Sequence, residues 1–102
     1  MRRIPGLLDS TLVELQIIAQ GQSADVRCLF KTLDLSDLEV RISGIVRLSV
    51  EYSSDLSFFY IVSHYKLLCS PGRVYLSLEP YLEDALEDER DEFVIIGTAI
   101  TP

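Results

Sequence analysis

Apolar and polar positions alternate with a period of two along most of this chain, the pattern of strands buried on one face. In "STLVELQIIAQ" (10–20), Val13, Leu15, Ile17 and Ala19 share one face, with Glu14 and Gln16 opposite. A helix competes for this stretch, because Thr11 and Glu14 have capping-box spacing and Gly21 could end it. Wound at about 100° per residue, however, Leu12, Val13, Leu15, Ile17 and Ile18 spread around most of the wheel, which favours a strand.

After a turn at "QGQS" (20–23), "ADVRCLFK" (24–31) sends Val26, Cys28 and Phe30 inward, with Arg27 and Lys31 outward. "LDLSD" (33–37) connects to "LEVRIS" (38–43), where Leu38, Val40 and Ile42 oppose Glu39 and Arg41. Gly44 breaks the period, as a bulge or tight turn would. "VRLSVEY" (46–52) resumes it, with Val46, Leu48, Val50 and Tyr52 on one side. A turn at 53–55 leads into "LSFFYIVSHYKLLCS" (56–70), expected to be one long bent strand. "SPGR" (70–73) reads as a hairpin turn, Pro71 fixing φ and Gly72 permitting a positive one. "VYLSLE" (74–79) is its partner, and "FVIIGTAI" (93–100) is the last strand.

Short strands joined by Gly, Pro, Ser and Asp turns predict a mainly β fold for residues 1–102. The expectation is a single antiparallel β-sandwich or open barrel of about six to seven strands. Parallel βαβ units are excluded for want of crossover helices. Helix chemistry gathers only near 80–91, where Pro80 suits a first helical position and Leu82, Ala85, Leu86 and Phe93 recur at helical spacing. Like charges at Glu83/Glu87 and Asp84/Asp88 oppose a helix, so a short acidic helix and a loop both stay open. "GIVRLSVEY" (44–52) and "GRVYLSLEPY" (72–81) echo one another, a likeness that the small alphabet of strands explains, with a duplicated hairpin as the alternative.

Charge changes the picture in one place. The chain carries −7, and "YLEDALEDERDE" (81–92), with seven carboxylates and one arginine, supplies −6 of it. A neutral body with an acidic patch repels nucleic acid and anionic membranes, so neither is an expected partner. No apolar stretch of signal-peptide length follows Met1-Arg2-Arg3, and no apolar run approaches ~18 residues, so a cytoplasmic location is expected. Cys28 and Cys69 are then expected as free thiols.

Catalytic chemistry finds little footing. His64 is the only imidazole, there is no G-x-S-x-G elbow, and no phosphate-binding glycine loop occurs. A pairing of His64 with Cys28 or Cys69, in a small hydrolase or ligand-binding protein, is the least favoured alternative. His64, Lys66 and Ser70 share a parity that reads as a solvated face. Arg27, Lys31, Arg41 and Arg47 are expected to mix with Glu39 and Glu51 on another such face. No metal or cofactor is expected, since the acidic run lacks the glycine and spacing of a calcium loop.

"LLDSTLVELQI" (7–17), "LEVRISGIVRLSVEY" (38–52) and "DEFVIIGTAI" (91–100) together resemble small uncharacterised bacterial all-β proteins that open on L-H-D-[SA]-x-L. Asp9, Ser10 and Leu12 match that opening, and Leu8 stands in place of its histidine. Some of those families resemble immunity proteins of polymorphic toxin systems. The resemblance implies a non-enzymatic, toxin-neutralising module. Its expected surface for a basic partner is Glu83, Asp84, Glu87, Asp88, Asp91 and Glu92. A structural β domain that self-associates through edge strands is the alternative from another class.

Overall fold

Nine strands and no helix form among the described residues, 2–50 and 60–101, of the computed structural model. β1 (Thr11–Gln20), β2 (Ser23–Lys31) and β3 (Asp37–Ser43) make an antiparallel meander. β4 (Arg47–Ser49), β5 (Tyr60–Ile61), β6 (Lys66–Ser70), β7 (Arg73–Glu79), β8 (Glu92–Gly97) and β9 (Ala99–Thr101) follow. They assemble into two antiparallel sheets, a first of order β5-β1-β2-β3-β9 and a second of order β4-β8-β7-β6. The architecture is therefore a mainly β sandwich.

The inner faces follow the period-two pattern. Val26, Cys28 and Phe30 of β2 and Val40 and Ile42 of β3 are buried against Leu67 of β6, Leu76 and Leu78 of β7 and Ile95 of β8. Cross-strand partners such as Cys28 and Val40 lie on the same face, so one strand's alternation fixes its neighbour's. β1 departs from its expected pattern. The β1–β2 register shifts between Leu12 and Glu14, which is how a bulge absorbs an extra residue. Leu12 thus sits opposite Phe30 and packs on the core, while Val13 is half-exposed.

Two expected strands each divide between the sheets. The 93–100 strand becomes β8 in the second sheet and β9 in the first, and Thr98 turns the corner. The 56–70 strand gives β5 in the first sheet and β6 in the second, while residues 56–59 lie outside the described part. Of the expected 46–52 strand, Leu48 packs on the core, Val46 and Val50 are exposed, and Glu51 and Tyr52 lie outside the described part.

The passage from β8 to β9 and the passage from β3 to β4 share one corner. Thr98 N–H donates to Ser43 O at 2.8 Å, and Val46 N–H donates to Ile96 O at 2.8 Å. Two glycines admit this close approach. Gly44 has φ +62°, and a Cβ there would collide with the Thr98 hydroxyl. A Cβ on Gly97 would lie 2.6 Å from both Ile42 Cγ2 and Ser43 O.

The outer face of the first sheet is the expected mixed-charge surface. Arg27 pairs with Glu14 and Glu39, Lys31 with Asp37, and Arg41 with Asp25. Such exposed pairs are each worth about 0–1 kcal/mol. Arg47 is not among them, because β4 carries it into the second sheet. No helix among the described residues is long and apolar enough to cross a membrane.

Candidate functional site

The second sheet has an apolar outer face as well as an apolar inner one. Along β7 and β8, Val74, Leu76, Leu78, Phe93 and Ile95 point to the shared core, whereas Tyr75, Val94 and Ile96 form a second cluster with Leu68. Water would cover that second cluster if the sheet were only two layers deep. The acidic segment covers it instead. Residues 80–91 fold back over the outer face as a strap without helix or strand.

Lys66 holds the strap down. Its side chain shares the outer face with Tyr75 and Ser77, is completely buried, and was expected to be solvated. The correction has a physical cause. An ammonium can be buried when each of its protons finds an acceptor. Lys66 Nζ donates to Leu86 O at 2.7 Å, lies 3.0 Å from Asp84 Oδ1, and donates to Asp91 Oδ2 at 3.1 Å. Burial alone would depress the lysine pKa, but the two carboxylates outweigh it and raise it.

Asp91 ties the strap's ends together. Its side chain is also completely buried, and besides Lys66 it accepts from Tyr75 Oη at 2.7 Å and Tyr81 N–H at 2.8 Å. Burial pushes its pKa up, and those donors more than reverse the push, so the group stays a carboxylate. The Tyr75 phenol is pushed up to about 12 by burial and then by its bond to Asp91. Arg73 grips Glu87 with two bonds, at 2.7 and 2.6 Å. Asp88 accepts from the backbone and guanidinium of Arg90 at 2.8–3.0 Å, and Arg90 stacks on the Tyr81 ring at 4.0 Å.

The six acids proposed as a partner surface therefore occupy different positions. Asp91 is sequestered, and Asp84, Glu87 and Asp88 are paired within the chain. Glu83 and Glu92 are exposed, and Glu89, which the sequence reasoning passed over, is exposed beside them. Lys66 and Arg73 together reduce the segment's −6 to −4. Three exposed apolar side chains, Tyr81, Leu82 and Leu86, stand among the remaining carboxylates. The sequence does not single these out as surface residues: Leu82 and Leu86 stand out in it only for their helical spacing.

Cys28 is sealed in the core, where burial pushes its thiol up to about 12, and a thiol so placed is a poor nucleophile. Cys69 is exposed, with Arg2 Nη1 3.5 Å from its sulfur. Both thiols are free. Ser63 Oγ lies 3.3 Å from His64 Nδ1. Among the described residues, no three His, Cys, Asp or Glu side chains converge on a metal position.

The strap makes stability depend on pH at both ends of the scale. Asp91 and Glu87 have folded pKa values below the unfolded ones, as does Asp88, held at about 2. Their contribution is complete above about pH 5 and is lost as pH falls through the folded values. Lys66 is raised, so its contribution is complete below the ordinary 10.5 and is lost as pH climbs through the folded value. Urea midpoints measured across pH should form a plateau that drops at both ends. A midpoint that rises between about pH 4 and 2 would contradict the ion pairs.

No protein-family model, curated protein or solved structure matches this chain.

Proposed function

We propose that this chain is a non-enzymatic protein-binding module whose recognition surface is the strap over the second sheet, and that its partner is basic. One observation carries the reading: a segment without regular structure is held rigid by a buried lysine while Tyr81, Leu82, Leu86, Glu83 and Glu89 face outward. Preorganisation lowers the ordering cost of binding. Exposed aromatic and aliphatic anchors ringed by charge are the composition of an interface centre with a polar rim. The paired acids hold the strap, and Glu83 and Glu89 steer the partner.

A toxin-neutralising role, which the sequence resemblance implies, is the form this takes when the basic partner is a nuclease. Association rates with a panel of small basic nucleases, at two ionic strengths, test the reading. The expected rate falls about tenfold or more with added salt and drops when Glu83 and Glu89 become Gln. A rate indifferent to both changes would end it. Self-association through sheet edges is the second reading, because both sheets are open and β6, five residues long, forms one edge of the second sheet; the other outer strands, β4, β5 and β9, are only two or three residues long, which blunts their edges.

A further inference from the structure

The strap is fastened differently from the rest of the fold. Its ends are marked by two buried residues, Pro80 and Asp91, but no side chain between them is buried. Its larger apolar side chains, Tyr81, Leu82 and Leu86, are exposed, and none joins either core cluster. What holds it is polar. Lys66 bonds Asp84, Asp91 and the Leu86 carbonyl, Tyr75 bonds Asp91 and the Asp88 carbonyl, and Arg73 bonds Glu87.

The strap also bridges the sheet more than it packs on it. A cleft of about 240 Å³ lies between Tyr75, Val94 and Ile96 on the sheet and Asp88 and Glu89 on the strap. Another, of about 440 Å³, lies between Leu68 and Cys69 on β6 and Ala85 and Leu86 on the strap.

Polar fastenings differ from apolar ones in what opening costs. Lys66 and Asp91 would lose each other but regain water, so the cost of stripping water from both ions is recovered. The Arg73–Glu87 pair is half-exposed and contributes little. The core contacts of Leu76, Leu78 and Ile95 lie on the opposite face of the sheet and survive. The remaining cost is the uncovering of Leu68, Tyr75, Val94 and Ile96, which keeps the closed form dominant.

We propose that the strap is a separable latch: residues 81–91 lift off the second sheet as one unit, hinged between the end of β7 and the start of β8, while both sheets stay paired. Elements with few buried apolar contacts are the ones that open below the free energy of global unfolding. The recognition surface then exists only in the closed form, so a bound partner holds the latch shut. That consequence rests on the function proposed above; the latch itself does not.

Native-state hydrogen exchange on the full chain, resolved by residue with NMR, tests this. The amides of Tyr81 and Asp91 donate to Asp91 Oδ1 and Asp88 O. They should be protected relative to an unfolded chain, yet more than about tenfold less than the amides joining β7 to β8. Arg73→Gln removes the grip on Glu87 and touches neither amide's acceptor, so it should lower protection at both amides by one common factor, about threefold. Strap protection within about tenfold of the β7–β8 amides would overturn the proposal, because the strap would then open only when the fold does. So would strap amides with no protection, or a response to Arg73→Gln that leaves either amide unchanged. No partner enters the experiment, so the latch and the basic-partner reading fail separately.

Discussion

Lys66→Met should destabilise the fold by about 3–5 kcal/mol, the range for removing one partner of a buried ion pair. The methionine fills most of the lysine's volume, so the loss is not one of packing. It comes from Asp91, left with its charge inside the protein, and from the Leu86 carbonyl, which loses its 2.7 Å donor. The arithmetic of the pair gives a control. Lys66→Met with Asp91→Asn removes both charges while Tyr75 and Tyr81 can still bond the amide oxygen, so the double variant should cost less than the sum of the singles. Urea unfolding of the four proteins measures it. A loss under about 1 kcal/mol for Lys66→Met would mean that water or another cation reaches Asp91.

Gly97→Ala should cost about 3 kcal/mol, the upper end for overpacking a core. Its methyl would sit 2.6 Å from Ser43 O, a backbone atom fixed by the bond from Thr98 N–H. The neighbouring strand cannot retreat without parting the crossover. Gly72→Ala is the comparison. A Cβ there meets nothing within 4 Å, and only its φ of +73° is strained, so about 1 kcal/mol is expected. Thermal denaturation separates the two mechanisms. Equal losses at Gly97 and Gly72 would mean that the corner is looser than its distances show.

Gly97 marks where the sequence is mute. Gly44 announced itself by breaking a period, but nothing in "FVIIGTAI" says that its halves belong to different sheets. Period two reports which face a residue takes, not which sheet its strand joins. The inner faces of β2 and β3 were legible for that reason, as was the hairpin at Pro71-Gly72, where Ser70 and Arg73 pair. The bulge at Val13 was not, because an extra residue inverts the parity downstream without leaving a compositional trace.

The strap was half legible. Its acids and its want of a clean helical pattern could be read, but its position could not. One signal was present. "FVII" is apolar at four consecutive positions, and Tyr75 and Val94 sit on the parity opposite to Leu76 and Ile95. A strand apolar on both faces needs cover on both. The longest polar connection beside it was the available cover, and Lys66, opposite Ser77 on the same outward parity, was the cation that could hold it.

The shared corner also sets an order of assembly. Among the described residues β4 pairs with β8 alone, more than forty residues onward, and β3 gains its outer neighbour when β9 is in place. A growing chain can close the β1–β2–β3 meander early, but it must carry Leu48 unpartnered until the late strands emerge. Contacts so distant in sequence make for slow acquisition of structure, on the scale of milliseconds to seconds typical of such topologies. In that interval the nascent protein is most exposed to mispairing and most dependent on chaperones.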